Sequence, residues 1–204
     1  MILKNLIVAI GLAVTAFAGV SNAAPVTFIH TGIGSGTIGA TSFTNAPFTI
    51  TEIGNTASVQ DCTVPTALAP CFFVNDLSAS VSISALGIFN ILTPTRTFVD
   101  QDLLLAGFGL SGPTGQDIFD GPNSPLFANY DLATSIGPVT GFGSLVQNQS
   151  LAGPLSTSGG DLLFVDSLTP ATFQATIAVI PEPSTLFLVA LVLPCLAIRR
   201  KTRK

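Results

Sequence analysis

The chain has 204 residues and a formal charge of −4, yet only 9% of its residues are charged and tryptophan is absent. Across residues 24–180, roughly one domain's worth of chain, Arg96 is the only cation against ten carboxylates, a local net charge of −9. An acidic middle of this kind repels phosphate backbones and excludes nucleic acid as a partner; with one imidazole and no lysine, it also leaves little from which to build a catalytic site.

Residues 1–23 have the three parts of a secretory signal: Lys4 in a basic start, an apolar run over 6–17, and small residues at Ser21 and Ala23. Cleavage after Ala23 is expected, and it implies the Sec translocon and signal peptidase as partners. A retained membrane anchor fits less well, because the run is about twelve residues long where a span needs about 20.

From 24 to 179 the pattern alternates with period two, and no helical stripe persists over three turns. Phe48, Ile50 and Glu52 face opposite to Thr49, Thr51 and Ile53; Val81, Ile83 and Ala85 alternate with Ser80, Ser82 and Ser84. Phe173, Ala175, Ile177 and Val179 alternate in the same way with Thr172, Gln174 and Thr176. Shorter strand candidates lie at 26–31, 71–75, 88–92, 96–100, 103–110, 126–132 and 162–166. Gly112-Pro113, Gly121-Pro122, Gly137-Pro138 and Gly153-Pro154 punctuate them as turns. Strands with Thr and Ser outside and aliphatic residues inside suit antiparallel sheets with one wet face. The predicted fold is therefore all-β, an antiparallel β-sandwich of jelly-roll or Ig-like type over 24–179, flanked by an N-terminal signal helix and a C-terminal transmembrane helix.

Several motifs within this domain carry chemistry in other settings. Gly34-Ser35-Gly36-Thr37-Ile38-Gly39 matches G-x-G-x-x-G in form, but 40–47 make a poor helix start and run into another strand, so a Gly-rich hairpin is expected instead of a nucleotide site. His30, the only imidazole, has no nucleophile elbow near it and reads as a surface or half-buried strand residue. Asp100 with Asp102, and Asp117 with Asp120, could serve glycoside hydrolysis, but the domain is small and lacks the Trp platforms that hold sugars; no enzyme is expected. The same aspartates could hold Ca2+, although their spacing is not that of an EF-hand, so no cofactor is predicted and Ca2+ is left open. Asn148-Gln149-Ser150 is a sequon with no evident use. Cys62 and Cys71, exported to an oxidising compartment and separated by a loop containing Pro65 and Pro70, are expected to form a disulfide.

The C-terminal segment, 180–204, reads in three steps: Pro181, Glu182, Pro183, Ser184 and Thr185, then an apolar run over 186–198, then Arg199, Arg200, Lys201, Thr202, Arg203 and Lys204. The prolines stop any strand or helix from running through and leave an accessible hinge. The nine Leu, Ile, Val and Phe residues of the run favour insertion by roughly 3 to 5 kcal/mol in total. A helix over 184–198 would reach only about 22 Å against a hydrocarbon core of about 30 Å, and the basic cluster would hold its end on the cytoplasmic side.

This ending closely resembles the PEP-CTERM sorting signal, in which a Pro-Glu-Pro motif precedes a short membrane helix and an Arg-rich tail. Pro194-Cys195 is the one departure, standing where such tails usually carry Gly, Leu or Ala. The resemblance implies processing by exosortase, an integral-membrane protease-like enzyme of Gram-negative bacteria that make exopolysaccharide. It implies passage through the inner membrane and delivery to the cell surface or extracellular matrix. The expected role is structural or adhesive and linked to exopolysaccharide or biofilm; the alternative is a carbohydrate-binding or Ca2+-dependent lectin-like module.

Overall fold

The computed structural model describes residues 23–62, 70–112 and 115–178. The predicted signal helix within 1–22, the sorting motif at Pro181 to Thr185, the transmembrane helix over 184–198 and the basic stop at 199–204 lie outside the described residues. Among the described residues no helix is long and apolar enough to cross a membrane.

The described chain is all-β. Its strands are β1 Pro25–Ile38, β2 Thr41–Asn55, β3 Gln60–Asp61, β4 Cys71–Asn75, β5 Ser78–Ile83, β6 Gly87–Ile91, β7 Thr95–Asp100, β8 Leu105–Leu110, β9 Asp117–Asn123, β10 Ile136–Leu145, β11 Leu155–Thr157, β12 Gly160–Phe164 and β13 Ser167–Ile177. β1 and β2 form from the alternation visible in the sequence. Val26, Phe28, His30 and Ile38 of β1 point inward with Phe48, Ile50 and Glu52 of β2, while Thr27, Ile29, Thr31, Thr49 and Thr51 face out between them.

Where the sequence predicts two facing sheets, the hydrogen bonds run through all thirteen strands in the order β12-β11-β6-β5-β2-β1-β13-β10-β9-β8-β7-β4-β3. One extra pairing, β12 to β1, closes β1, β2, β5, β6, β11 and β12 into a six-stranded barrel. The barrel closes because β1 is long enough to serve two partners: residues 26–31 pair with β13 and residues 36–38 with β12. Closure removes an exposed edge, and the open end of the sheet is β3, only two residues long.

One core cluster joins Phe48, Ile50, Val81, Leu162 and Phe164 of the barrel to Phe108 and Phe119 of the outer strands. A second lies between β1, β13 and β10 on one side and β4, β7 and β8 on the other, around Phe28, Phe173, Val74, Val99, Ala106 and Val139.

Two local expectations are corrected. The segment expected as a strand at 126–132 instead begins with a short 3-10 helix, Pro125–Asn129. Ser124 accepts a hydrogen bond from the Leu126 amide at 3.3 Å, and Pro125 starts the turn with its φ already set; Phe127, Tyr130 and Leu132 then plug the second core. Gly121-Pro122 and Gly137-Pro138, expected as turns between strands, lie inside β9 and β10. Proline lacks a ladder donor, and in β10 it sits where the register shifts between Ile136 and Val139, an irregularity that needs no donor there.

Candidate functional site

The sequence-predicted residues fall in separate places. Ala23, the expected cleavage position, is exposed at the start of the described domain. Its neighbour Ala24 is tied down: the Ala24 amide donates to Thr56 Oγ1 at 3.1 Å, and the Thr56 amide donates back to the Ala24 carbonyl at 3.0 Å. The Ala178 amide donates to the Pro25 carbonyl at 2.9 Å, so the two described ends of the domain leave from one pole. Cys62 and Cys71 are joined by a disulfide with their Cα atoms 5.1 Å apart, next to a backbone hydrogen bond from the Cys62 amide to the Cys71 carbonyl of 2.8 Å.

Asp100, Asp117 and Asp120 lie close enough to act on one another's charge, and two of them also carry hydrogen bonds that hold the fold. Asp100 Oδ1 accepts the amides of Asp102 and Leu103, both at 2.9 Å, which closes the β7–β8 connection. Asp117 instead takes Arg96 Nη2 at 3.0 Å. Burial pushes the Asp117 carboxyl up, against the pull of Arg96. Asp120 is raised to about 7, first by burial and then by the charge of Asp117. Among the described residues no group of three or more His, Cys, Asp or Glu is placed to hold a metal ion.

His30, expected at a surface or half-buried, is fully buried. It occupies the same strand face as Val26 and Phe28, so the alternation of β1 already carried that signal. Its ring packs on Phe173 and Phe119 at centroid distances of 4.8 and 5.9 Å. Nδ1 lies 3.4 Å from the Gly121 carbonyl; a carbonyl only accepts, so the proton sits on Nδ1 and Nε2 presents a lone pair. That lone pair faces Glu52 Oε2 at 3.8 Å. Burial holds the imidazole pKa down to about 3, so the ring is neutral.

Glu52 is also fully buried, and sequence reasoning missed what its place beside Phe48 and Ile50 meant. Its carboxyl is pushed well above the usual range by burial, then by Asp76, against a hydrogen bond from Thr97. Asp76 is raised to about 7, again by burial first, with hydrogen bonds from Thr95 and Thr97 opposing. Thr97 Oγ1 stands between the two acids, 3.2 Å from Glu52 Oε2 and 3.1 Å from Asp76 Oδ1. A hydroxyl has one proton, so it donates to one carboxyl and must receive from the other, which keeps at least one acid protonated. His30, Glu52 and Thr97, all buried, thus form one chain with the half-buried Asp76. Three of its atoms, His30 Nε2, Glu52 Oε1 and Asp76 Oδ2, are buried without a hydrogen-bond partner among the described residues.

The wet face of the sheet is different in kind. Two depressions lie on it. One, of about 200 Å³, sits at the fork where β1 passes from β13 to β12, around Ile33, Ser35, Val165, Leu168 and Thr169. The other, of about 400 Å³, crosses β10, β13, β1 and β2 along Thr140, Thr172, Thr31 and Thr49. Compared with known protein families, curated proteins and solved structures, the chain matches none.

Proposed function

We propose that this chain is an exported protein, processed by exosortase and delivered to the cell surface or extracellular matrix, where its β domain has a structural or adhesive role linked to exopolysaccharide or biofilm. The reading rests on one observation: a Pro-Glu-Pro hinge at 181–183, an apolar run over 186–198 and a basic terminus at 199–204 follow one another without interruption, in a chain that begins with a signal-like segment. The described domain is compatible with it. Both of its ends leave from one pole, which suits a domain tethered first at one terminus and then at the other. The wrapped sheet is read as a jelly-roll-like sandwich whose two layers belong to one sheet, because β1, β13 and β10 pack their inner side chains against β4, β7 and β8.

Intact-mass measurement of the exported protein, from cells with and without the sorting enzyme, tests this. The expected species in normal cells lacks residues 1–23 and the tail, while cells without the enzyme keep the tail. A mature species in normal cells that still carries 186–204 reduces the tail to a plain anchor and removes the matrix assignment with it. The carbohydrate-binding alternative is favoured by one specific feature, the groove on the wet face.

A further inference from the structure

The wet face of this sheet avoids charge to a degree the rest of the domain does not. Every outward position of β10, β13, β1, β2, β5 and β6 is uncharged, although residues 24–180 carry ten carboxylates and an arginine. In their place stand rows of hydroxyls in cross-strand register. Thr140 lies opposite Thr172, Thr172 opposite Thr31, Thr31 opposite Thr49, and Thr49 opposite Ser82. The first pair across β1 and β13 touches directly, Thr31 Oγ1 to Thr172 Oγ1 at 2.6 Å.

Beside this row runs an apolar one. Phe142 lies opposite Pro170 and Ile33 opposite Pro47; Phe142 is 68% exposed and Leu168, next along β13, is 79% exposed. The 400 Å³ groove lies between the two rows, with hydroxyls on one wall and Ile33, Pro47 and Pro170 on the other. Two glycines line it, and both are required. A Cβ on Gly32 would collide with the Phe48 ring, and one on Gly141 would meet the Asn123 carbonyl at 2.5 Å. Four strands spaced about 4.8 Å apart give the groove a span of about 14 Å. Its volume is in the range of ligand sites, about 300 to 1,000 Å³, and a lining spread over the outer face of four strands fits a chain laid across them better than a small molecule enclosed.

We propose that this groove is a docking surface for a neutral polysaccharide, laid across β10, β13, β1 and β2 with its hydroxyls on the threonine row and its apolar ring faces against Ile33, Pro47 and Pro170. Charge decides the choice of occupant. An anionic polymer needs cations at its site, and the single arginine of the domain is buried on another part of the sheet. A cationic polymer needs carboxylates, and no outward position of these six strands supplies one. A neutral polyol needs donors and acceptors that carry no charge, together with apolar surface for the ring faces, and both are present in adjacent rows. The proposal deepens the matrix reading above and rests on it for biological context, but its physical basis is the groove alone.

The test uses the full chain in detergent, co-sedimented with microcrystalline cellulose and with insoluble β-1,3-glucan, and with alginate and chitosan gels as charged comparators. Retention on a neutral glucan that persists at high salt and with chelator present is expected. Thr172→Lys, in the groove, should lower that retention by at least about tenfold, which is about 1.4 kcal/mol. Thr176→Lys, outward on the same strand but beyond the groove, should leave it unchanged. Thr140→Lys, at an exposed groove position, serves as a second variant should Thr172→Lys not fold, which thermal melting reports. The proposal is overturned by no retention on either glucan, by equal retention of the groove variants, or by stronger retention on alginate or chitosan. Self-association of the full chain that disappears in Thr140→Lys, without glucan binding, would assign the face to a second copy instead. A chain that loses its tail normally but ignores the glucans sinks only this proposal; one that binds glucans but keeps its tail sinks only the sorting reading.

Discussion

Arg96 is the only Lys or Arg among the described residues, and it is used to hold a loop. Its guanidinium donates from Nη1 to the Gly112 carbonyl at 2.7 Å and from Nη2 to the Gly115 carbonyl at 2.8 Å, pairs with Asp117 at 3.0 Å, and lies over the rings of Phe98 and Phe73 at 5.0 and 5.8 Å. The planar fork reaches three acceptors at once, which a lysine ammonium could not do in the same geometry. Replacing it by methionine keeps the buried stem but strands two carbonyls and a half-buried carboxylate. Arg96→Met should therefore lose about 3 kcal/mol of stability, read as a lower urea midpoint, and Arg96→Lys should recover only part of the loss. An unchanged midpoint for Arg96→Met would mean that the loop does not depend on this clasp. At the same scale, Thr97 shows how one hydroxyl proton constrains two acids: its position between Glu52 and Asp76 matters because neither acid has a cation beside it.

At the scale of elements, the decisive feature is the divided pairing of β1. Residues 26–31 serve β13 and 36–38 serve β12, so the outer strands and the barrel share one strand as a spine. Where the ladder forks, side chains and single backbone bonds replace it: Thr169 Oγ1 accepts the Ile33 amide at 2.7 Å, and the Val165 amide reaches the Ser35 carbonyl at 2.8 Å. Gly36 lies at the point of closure, opposite Phe164 and Phe43. A Cβ there would collide with the Leu163 carbonyl and with the Phe43 ring. Gly36→Ala should cost about 3 kcal/mol and speed amide exchange in β12 ahead of β7 and β8. Gly153→Ala, whose Cβ would meet nothing within 4 Å, should stay within about 0.5 kcal/mol of the parent. Equal exchange in all strands of the Gly36 variant would show that the barrel does not hinge on this contact. At the far end of the sheet the disulfide holds the two-residue β3 against β4, and closing so short a loop contributes a little under about 3 kcal/mol in the chain-entropy model.

For the molecule as a whole, the buried acids predict an unusual response to pH. Asp76 and Asp120 have folded pKa values raised to about 7, and Glu52 is raised well above its usual range. For such groups the native state binds protons that the unfolded chain has released, so their contribution is complete below the unfolded values near about 4 and is lost as pH rises through about 7. His30 acts in the opposite sense. Held at about 3 in the fold, it contributes stability above about 6.5 that is lost as pH falls. Three carboxyls outweigh one imidazole, so the urea midpoint should rise on acidification from about pH 8 to about pH 5. Glu52→Gln, which keeps the shape but cannot ionise, should flatten that rise. A midpoint that falls steadily over this interval, or a Glu52→Gln variant with the parent's slope, would contradict the assignment of protons to this cluster.

Local alternation was legible in the sequence, and with it the all-β class and the inward faces of β2, β5 and β13, because a strand's two faces are set by a period of two that any single segment displays. The targeting expectations for both ends rest on local order of residue types as well, and, apart from Ala23, they lie outside the described residues. Other features were not legible, for a common reason. Whether β1 pairs with one strand or two, whether the sheet closes, and whether His30 and Glu52 meet in a dry interior depend on contacts between residues far apart in the chain. His30 and Glu52 stood on apolar faces in the sequence, yet nothing local told whether water reached them. Pro122 and Pro138 read as turns because proline is a poor ladder residue; tertiary structure kept them in strands by setting irregular pairing around them. The rows of threonine across β10, β13, β1 and β2 appear in the sequence as scattered outward residues. Only the register of four strands, set by closure and packing, aligns them into one groove.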